Sequence, residues 1–128
     1  MFAELWARTN ASFLAGASHA EEMVDAARSL GYAALAIADV DEVGGVVRAH
    51  AAAKKARQPL IVGAELSLSD FTPIHPRFWG ERGRAGTGSA VVLAKNRAGW
   101  AQLCRWLTTA RTTSPRGEPT LSVSALLS

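Results

Sequence analysis

"LAIADVDEVGGVVRAH", residues 35–50, decides how the chain folds. It starts as a continuous apolar run of strand length, the pattern of a strand buried on both faces of a parallel sheet. The run ends in Asp39 and Asp41 and passes through Gly44 and Gly45. A helical pattern then extends from about Val43 to Ala56, with Val43, Val46, Val47 and His50 on one side. A strand emptying through an acidic turn into a helix is a βα unit. The two glycines are not a phosphate loop, because no GxxxxGK[ST] surrounds them. They suit a helix start packed closely against its neighbours.

The same alternation continues in both directions. Upstream, "FAELWAR" (residues 2–8) reads as a first strand, and "SHAEEMVDAARSLG" (18–31) as a helix with Ser18 as N-cap and Glu21 as its capping-box partner. Met23, Ala26, Ala27 and Leu30 share a face of that helix, and Gly31 stands where a glycine would end it. Downstream, "LIVGAELSL" (60–68) and "SAVVLA" (89–94) are strands. Asn96 caps a helix whose inward stripe is Trp100, Leu103, Leu107 and Ala110, and a short last helix starts at Ser122. Residues 69–88 carry Pro, Gly and Arg without periodicity and read as a flexible loop. The expectation is a single α/β domain over residues 1–128, with parallel strands, right-handed crossovers and flanking helices.

Composition narrows the function classes. A chain of 128 residues with 48% hydrophobic and 20% charged residues can bury a core without disulfides. No stretch approaches the roughly 18 apolar residues of a spanning helix, and the N-terminus has no secretory pattern. A cytoplasmic protein without membrane contact is expected. Cys104, the single cysteine, reads as a buried, inert thiol. Residues 1–70 hold six Lys/Arg against nine Asp/Glu, and residues 71–128 eight against two. The basic excess is scattered, a solvated surface as readily as a groove for nucleic acid, so direct DNA binding is left open.

Chemistry in parallel βα folds gathers at the carboxyl ends of the strands. Here those ends carry Trp6 with Arg8, Asp39 with Asp41, and Glu65. Three carboxylates of this kind are candidate oxygen ligands for a divalent cation, although such acids more often face solvent. Among the histidines, His19 is expected in solvent at a helix start and His50 packed on a helix face, while His75 cannot be placed. Trp100 reads as core, Trp106 as core or interface, and Trp79, in the loop, as a candidate partner anchor.

Two stretches, residues 4–66 ("ELWARTNASFLAGASHAEEMVDAARSLGYAALAIADVDEVGG…PLIVGAEL") and "VVLAKNRAGWAQLCRWLTTARTTSPRGEP" (91–119), resemble the start of the PHP (polymerase and histidinol phosphatase) domain of bacterial C-family DNA polymerases, the error-prone DNA polymerase III alpha-like group above all. The resemblance implies a partial (β/α) barrel of PHP type, truncated relative to the family, whose metal-binding members hold ions such as Zn or Mn. The family's His-x-His pair falls on Trp6 and Arg8, and an acidic position on Asn10. Its Thr-Asp-His reads Ala38, Asp39, Val40; its bridging glutamate is Glu65; a further His falls at about Ser89. Asp39 and Glu65 are thus left as vestigial metal ligands, with Arg8 available to pair with one of them, and no resident cofactor is expected.

The implied function is a degenerate PHP domain of an error-prone polymerase, a scaffold in translesion DNA synthesis and not itself catalytic. The alternatives are a stand-alone PHP-like binding module and a metal-dependent phosphoesterase. The implied partners are the remainder of the polymerase or other polymerase-complex proteins, with self-association through open strand edges as a further expectation.

Overall fold

A computed structural model describes residues 1–71 and 88–128. Most of the expected loop, with His75 and Trp79, lies outside the described residues. The elements run β1 (Ala3–Ala7), α1 (Ala20–Ser29), β2 (Ala34–Val40), α2 (Val46–Ala56), β3 (Leu60–Leu68), β4 (Gly88–Leu93), α3 (Arg97–Thr113) and α4 (Val123–Leu127). They form a four-stranded sheet in the order β1-β2-β3-β4. β1, β2 and β3 are parallel, joined by the crossovers through α1 and α2.

The fourth strand departs from the expected pattern. β4 runs antiparallel to β3, pairing Gly63 with Leu93 and Leu68 with Gly88. No described helix separates the two strands, and a parallel return needs a crossover, usually helical. The α/β half-barrel character holds, and the all-parallel arrangement stops at β3.

β2 is the centre of the sheet. Leu35 through Asp39 are all buried, so its apolar run is covered on both faces. On one face Leu35 and Ile37 pack with Val24 and Ala27 of α1 and with Ala49 and Ala53 of α2. Farther along, Ala64 and Leu66 of β3 meet Leu103 and Leu107 of α3. Leu68, Ala110 and Leu121 close the remaining end beneath α4. Burying each of these branched side chains contributes about 1.5–3 kcal/mol.

The expected α1 start is displaced by one residue. His19 is the N-cap, and its backbone N–H donates to the Glu22 carboxylate at 2.8 Å. Ser18 is held in the preceding loop, where its carbonyl accepts from Asn10 N at 2.8 Å. The buried face also differs from the expected one: Ala20, Val24 and Ala27 point inward, Met23 is half-buried, and Ala26 and Leu30 are exposed. Gly31 ends the helix as expected, at φ 70°, a left-handed conformation that glycine adopts without strain.

α2 differs in a similar way. It begins at Val46, and its inward residues are Val46, Ala49 and Ala53, so Val47 and His50 are exposed rather than packed. Gly45 does close-pack: a Cβ there would lie 2.7 Å from Thr9 Oγ1 and 2.9 Å from Asp39 Oδ2. α3 follows its sequence pattern, with Leu103, Leu107 and Ala110 buried and the Asn96 side chain accepting from Gly99 N at 2.9 Å. Trp100 and Trp106 are half-buried at the core margin, as is Cys104. No described helix is long and apolar enough to cross a membrane.

Candidate functional site

The carboxyl ends of β1, β2 and β3 lie together, and the register decides which side chains can meet. Val40 is the cross-strand partner of Glu65, and Asp39 is the partner of Ala64. Partners in adjacent strands point to the same face, and successive residues alternate. Glu65 and Val40 therefore share one face, while Asp39 lies on the other with Ala64. The structure does not bring Asp39 and Glu65 together as a ligand pair.

Glu65 is the hub of its face. Its Oε2 accepts from Trp6 Nε1 at 3.1 Å, Arg8 Nε at 3.0 Å and Arg8 Nη2 at 2.6 Å, and its Oε1 accepts from Ser89 Oγ at 2.8 Å. The Glu65 side chain is only 7% exposed and that of Arg8 30%, so the ion pair is shielded from water far better than a surface pair. The Arg8 guanidinium also lies 5.0 Å from the centre of the Trp6 ring, within cation–π range. Trp6 and Arg8 come from the end of β1, Glu65 from β3 and Ser89 from β4. One carboxylate thus gathers three strand ends, with Val40 of β2 beside it.

Asp39 has a different task. It is 1% exposed and accepts from Thr9 N at 2.7 Å, Thr9 Oγ1 at 2.8 Å and Ser12 Oγ at 2.6 Å. Ser12 Oγ in turn accepts from Val40 N at 3.0 Å. The carboxylate works as an internal cap for the loop after β1, and Gly45 is needed because that loop and Asp39 fill the space where its Cβ would sit. Thr9 and Ser12 were not among the residues singled out by sequence. Their signal was faint, two hydroxyl residues just past a strand whose neighbour ends in a buried Asp.

Asp41 sits in the left-handed region at φ 54°. Its carboxylate accepts from Ser67 N at 2.8 Å and Ser67 Oγ at 2.6 Å. The Arg111 guanidinium donates to its backbone carbonyl at 2.9 Å and approaches Glu42 at 3.9 Å. Burial raises the Asp41 pKa above 3.8; the Ser67 bonds pull it down, the nearby Glu65 charge raises it and Arg111 lowers it. Burial, with the Asp39 charge, likewise raises Glu42.

The sign of the Asp41 effect follows from proton binding. The folded chain holds this proton more tightly than the unfolded chain, so the stabilisation is complete below the unfolded pKa and is lost as pH rises through the raised folded value. Asp41→Asn keeps acceptor and donor for Ser67, suits positive φ and removes the buried charge. Its stability relative to wild type should therefore improve between pH 4 and pH 7, as followed by thermal melts across that range. Asp41→Ala, which loses both Ser67 bonds, should be destabilised by about 1–2 kcal/mol throughout.

The donors around Glu65 do not fit a bound divalent ion. An ion needs several imidazole, thiolate or carboxylate ligands converging on it. Among the described residues Glu65 is surrounded by an indole, a guanidinium, a hydroxyl and a valine and already accepts four hydrogen bonds, and the nearby Asp41 carboxylate is held by Ser67. The Arg8 charge further opposes a cation. His19 and His50 are both exposed, and His19 Nδ1 lies 3.0 Å from Asn10 Nδ2. No described histidine is positioned to serve as acid or base at Glu65.

Comparison with known proteins identifies the family. The family model described as PHP domain matches residues 4–127. The chain is 44% identical over 127 residues to error-prone DNA polymerase 1 of Rhizobium meliloti (strain 1021), covering 99% of this chain and 10% of that protein. It is 47% identical over 109 residues to the error-prone DNA polymerase of Anaeromyxobacter sp. (strain K), covering 85% of this chain and 9% of the relative. The chain thus spans about a tenth of the length of these curated relatives. Among solved structures, an amidohydrolase from Chromobacterium violaceum with bound sulfate and no metal superposes with a TM-score of 0.62 at 28% identity, covering 88% of this chain and 34% of that one.

Proposed function

The chain belongs to the PHP domain family, and on that premise we propose that it is a PHP scaffold of an error-prone DNA polymerase whose metal centre has become a hydrogen-bonded clasp. The single observation carrying this reading is the surroundings of Glu65. Trp6, Arg8 and Ser89, three of the positions where the family resemblance expects ligands, all donate to its carboxylate, and Val40 is its cross-strand partner. The fixed Arg8 charge stands where ligands would otherwise gather a cation. The role is mechanical: the clasp holds the ends of β1, β3 and β4 in one arrangement. The chain supplies no hydrolysis or nucleotidyl transfer of its own and supports damage-tolerant DNA synthesis in the cytoplasm by positioning the rest of a polymerase.

The test uses a chimera in which this chain replaces the matching tenth of the Rhizobium meliloti relative. The chimera is expected to extend a primed template past a lesion. The 128-residue chain alone is expected to leave p-nitrophenyl phosphate intact with Mn²⁺ or Zn²⁺ present. An inactive or unfolded chimera, or metal-dependent turnover by the isolated chain, would overturn the proposal.

A further inference from the structure

The bases of residues 88–128 are Lys95, Arg97, Arg105, Arg111 and Arg116, against the single acid Glu118. α3 itself holds no Asp or Glu. With Leu103, Leu107 and Ala110 turned to the core, helical spacing lines up Arg97, Ala101, Arg105, Thr108 and Thr112 on the opposite, outer face. All of these but Ala101 are exposed, as is Lys95 just before the cap. At the far end of the helix Arg111 and Arg116 line one cleft. The Arg105 guanidinium is braced in place, its Nε and Nη2 donating to Gln102 Oε1 at 3.1 and 2.5 Å. The hydroxyls of Thr108, Thr112 and Thr113 donate to carbonyls one turn back along the helix, so the face is polar and carries no negative charge.

The charges on this face have no task inside the fold. Arg8, Arg48 and Arg111 pair with Glu65, Glu21 and Glu42. Arg28, Lys54, Lys55 and Arg57 stand at the C-terminal ends of α1 and α2, where cations complement the helix dipole. Lys95, Arg97 and Arg105 have no acid partner among the described residues and no such position. We propose that the outer face of α3 is a sequence-independent contact for the phosphate backbone of duplex DNA. Charge sets the sign of the ligand, and the lack of apolar groups sets its class. Protein interfaces need buried apolar or aromatic anchors, and a helix lying on a membrane needs an apolar side. None of the exposed large apolar side chains among the described residues lies on α3. Arginine forks between small residues suit a chain of phosphates, and with no aromatic on the stripe to stack on bases the contact reads no sequence. The inference goes beyond the clasp and rests on the scaffold reading only in choosing DNA over RNA.

The test titrates the 128-residue chain against a labelled DNA duplex of arbitrary sequence and follows fluorescence anisotropy over a range of salt concentrations. Binding is expected at low salt and should weaken as salt rises. Arg97→Gln with Arg105→Gln should melt as the parent does, weaken binding by about tenfold at low salt, and lower the slope of log affinity against log salt by about 2. Lys54→Gln with Lys55→Gln removes the same charge from α2 and should leave affinity and slope nearly unchanged. Absence of binding at low salt would overturn the proposal, and so would an equal loss in the α2 variant, because net charge alone would then be acting. Tighter binding of polyglutamate, of phosphatidylserine vesicles or of an RNA duplex would overturn it as well. An inactive chimera with the Rhizobium meliloti relative would remove the scaffold reading and leave a measured α3 contact standing, while an active chimera with no DNA binding by the chain would do the reverse.

Discussion

Asp39→Ala is expected to destabilise the chain by about 3–4 kcal/mol in urea denaturation, the largest single-site effect we foresee. The carboxylate is 1% exposed and holds Thr9 N, Thr9 Oγ1 and Ser12 Oγ. Removing it leaves a buried backbone N–H and two buried hydroxyls without their acceptor, and the space beside Gly45 unfilled. Against a typical domain stability of about 5–15 kcal/mol, such a loss brings folding near its limit. Asp39→Asn, which can still accept from Thr9 N and turn its amide toward a hydroxyl, should cost about 1–2 kcal/mol. If Asp39→Ala folded with unchanged stability, the loop would be anchored by something other than this carboxylate.

The second large effect belongs to the clasp. Arg8→Ala should cost about 2–3 kcal/mol, less than a fully buried pair because the arginine is partly open to water. Glu65→Ala should cost a similar amount, since it strips acceptors from Trp6, Arg8 and Ser89 at once. The double variant should be less destabilised than the sum of the two, because neither charge is then left alone in a shielded place. A double-mutant cycle by equilibrium denaturation measures that coupling. Strict additivity would mean that the 2.6 Å contact contributes nothing to the fold.

Much of this architecture was legible in the sequence because apolar periodicity reports burial. The β2 run, the Leu103–Leu107–Ala110 stripe of α3 and the punctuation by Gly31, Asn96 and Ser122 all stand where the pattern put them. Strand direction was not legible: an alternating or apolar run has the same pattern read either way, so the antiparallel β4 emerged only from its pairing. Short helices rich in alanine, such as α1 and α2, also leave their inward face poorly defined. In α1 the packed face is Ala20, Val24 and Ala27, which leaves Ala26 and Leu30 in solvent.

The candidate site divided along the same line. That Trp6, Arg8, Val40, Glu65 and Ser89 belong together followed from the family resemblance, and the structure gathers them on one face. Asp39 and Asp41 were grouped with Glu65 because all three stand at strand ends, and the resemblance then kept Asp39 with Glu65, but neither carries information on register. A single step of register separates the two faces.

The central claim, that a fixed hydrogen-bonded clasp has replaced a metal centre, is tested most directly by the melting temperature of the chain with excess Mn²⁺ or Zn²⁺ and with a chelator. A specific ion present at a hundred times its dissociation constant would add about 2.7 kcal/mol to the folded state and raise the melting temperature by several degrees. The account predicts the same melting temperature in all three conditions. A metal-dependent rise that the chelator reverses, and that Glu65→Ala abolishes, would contradict it.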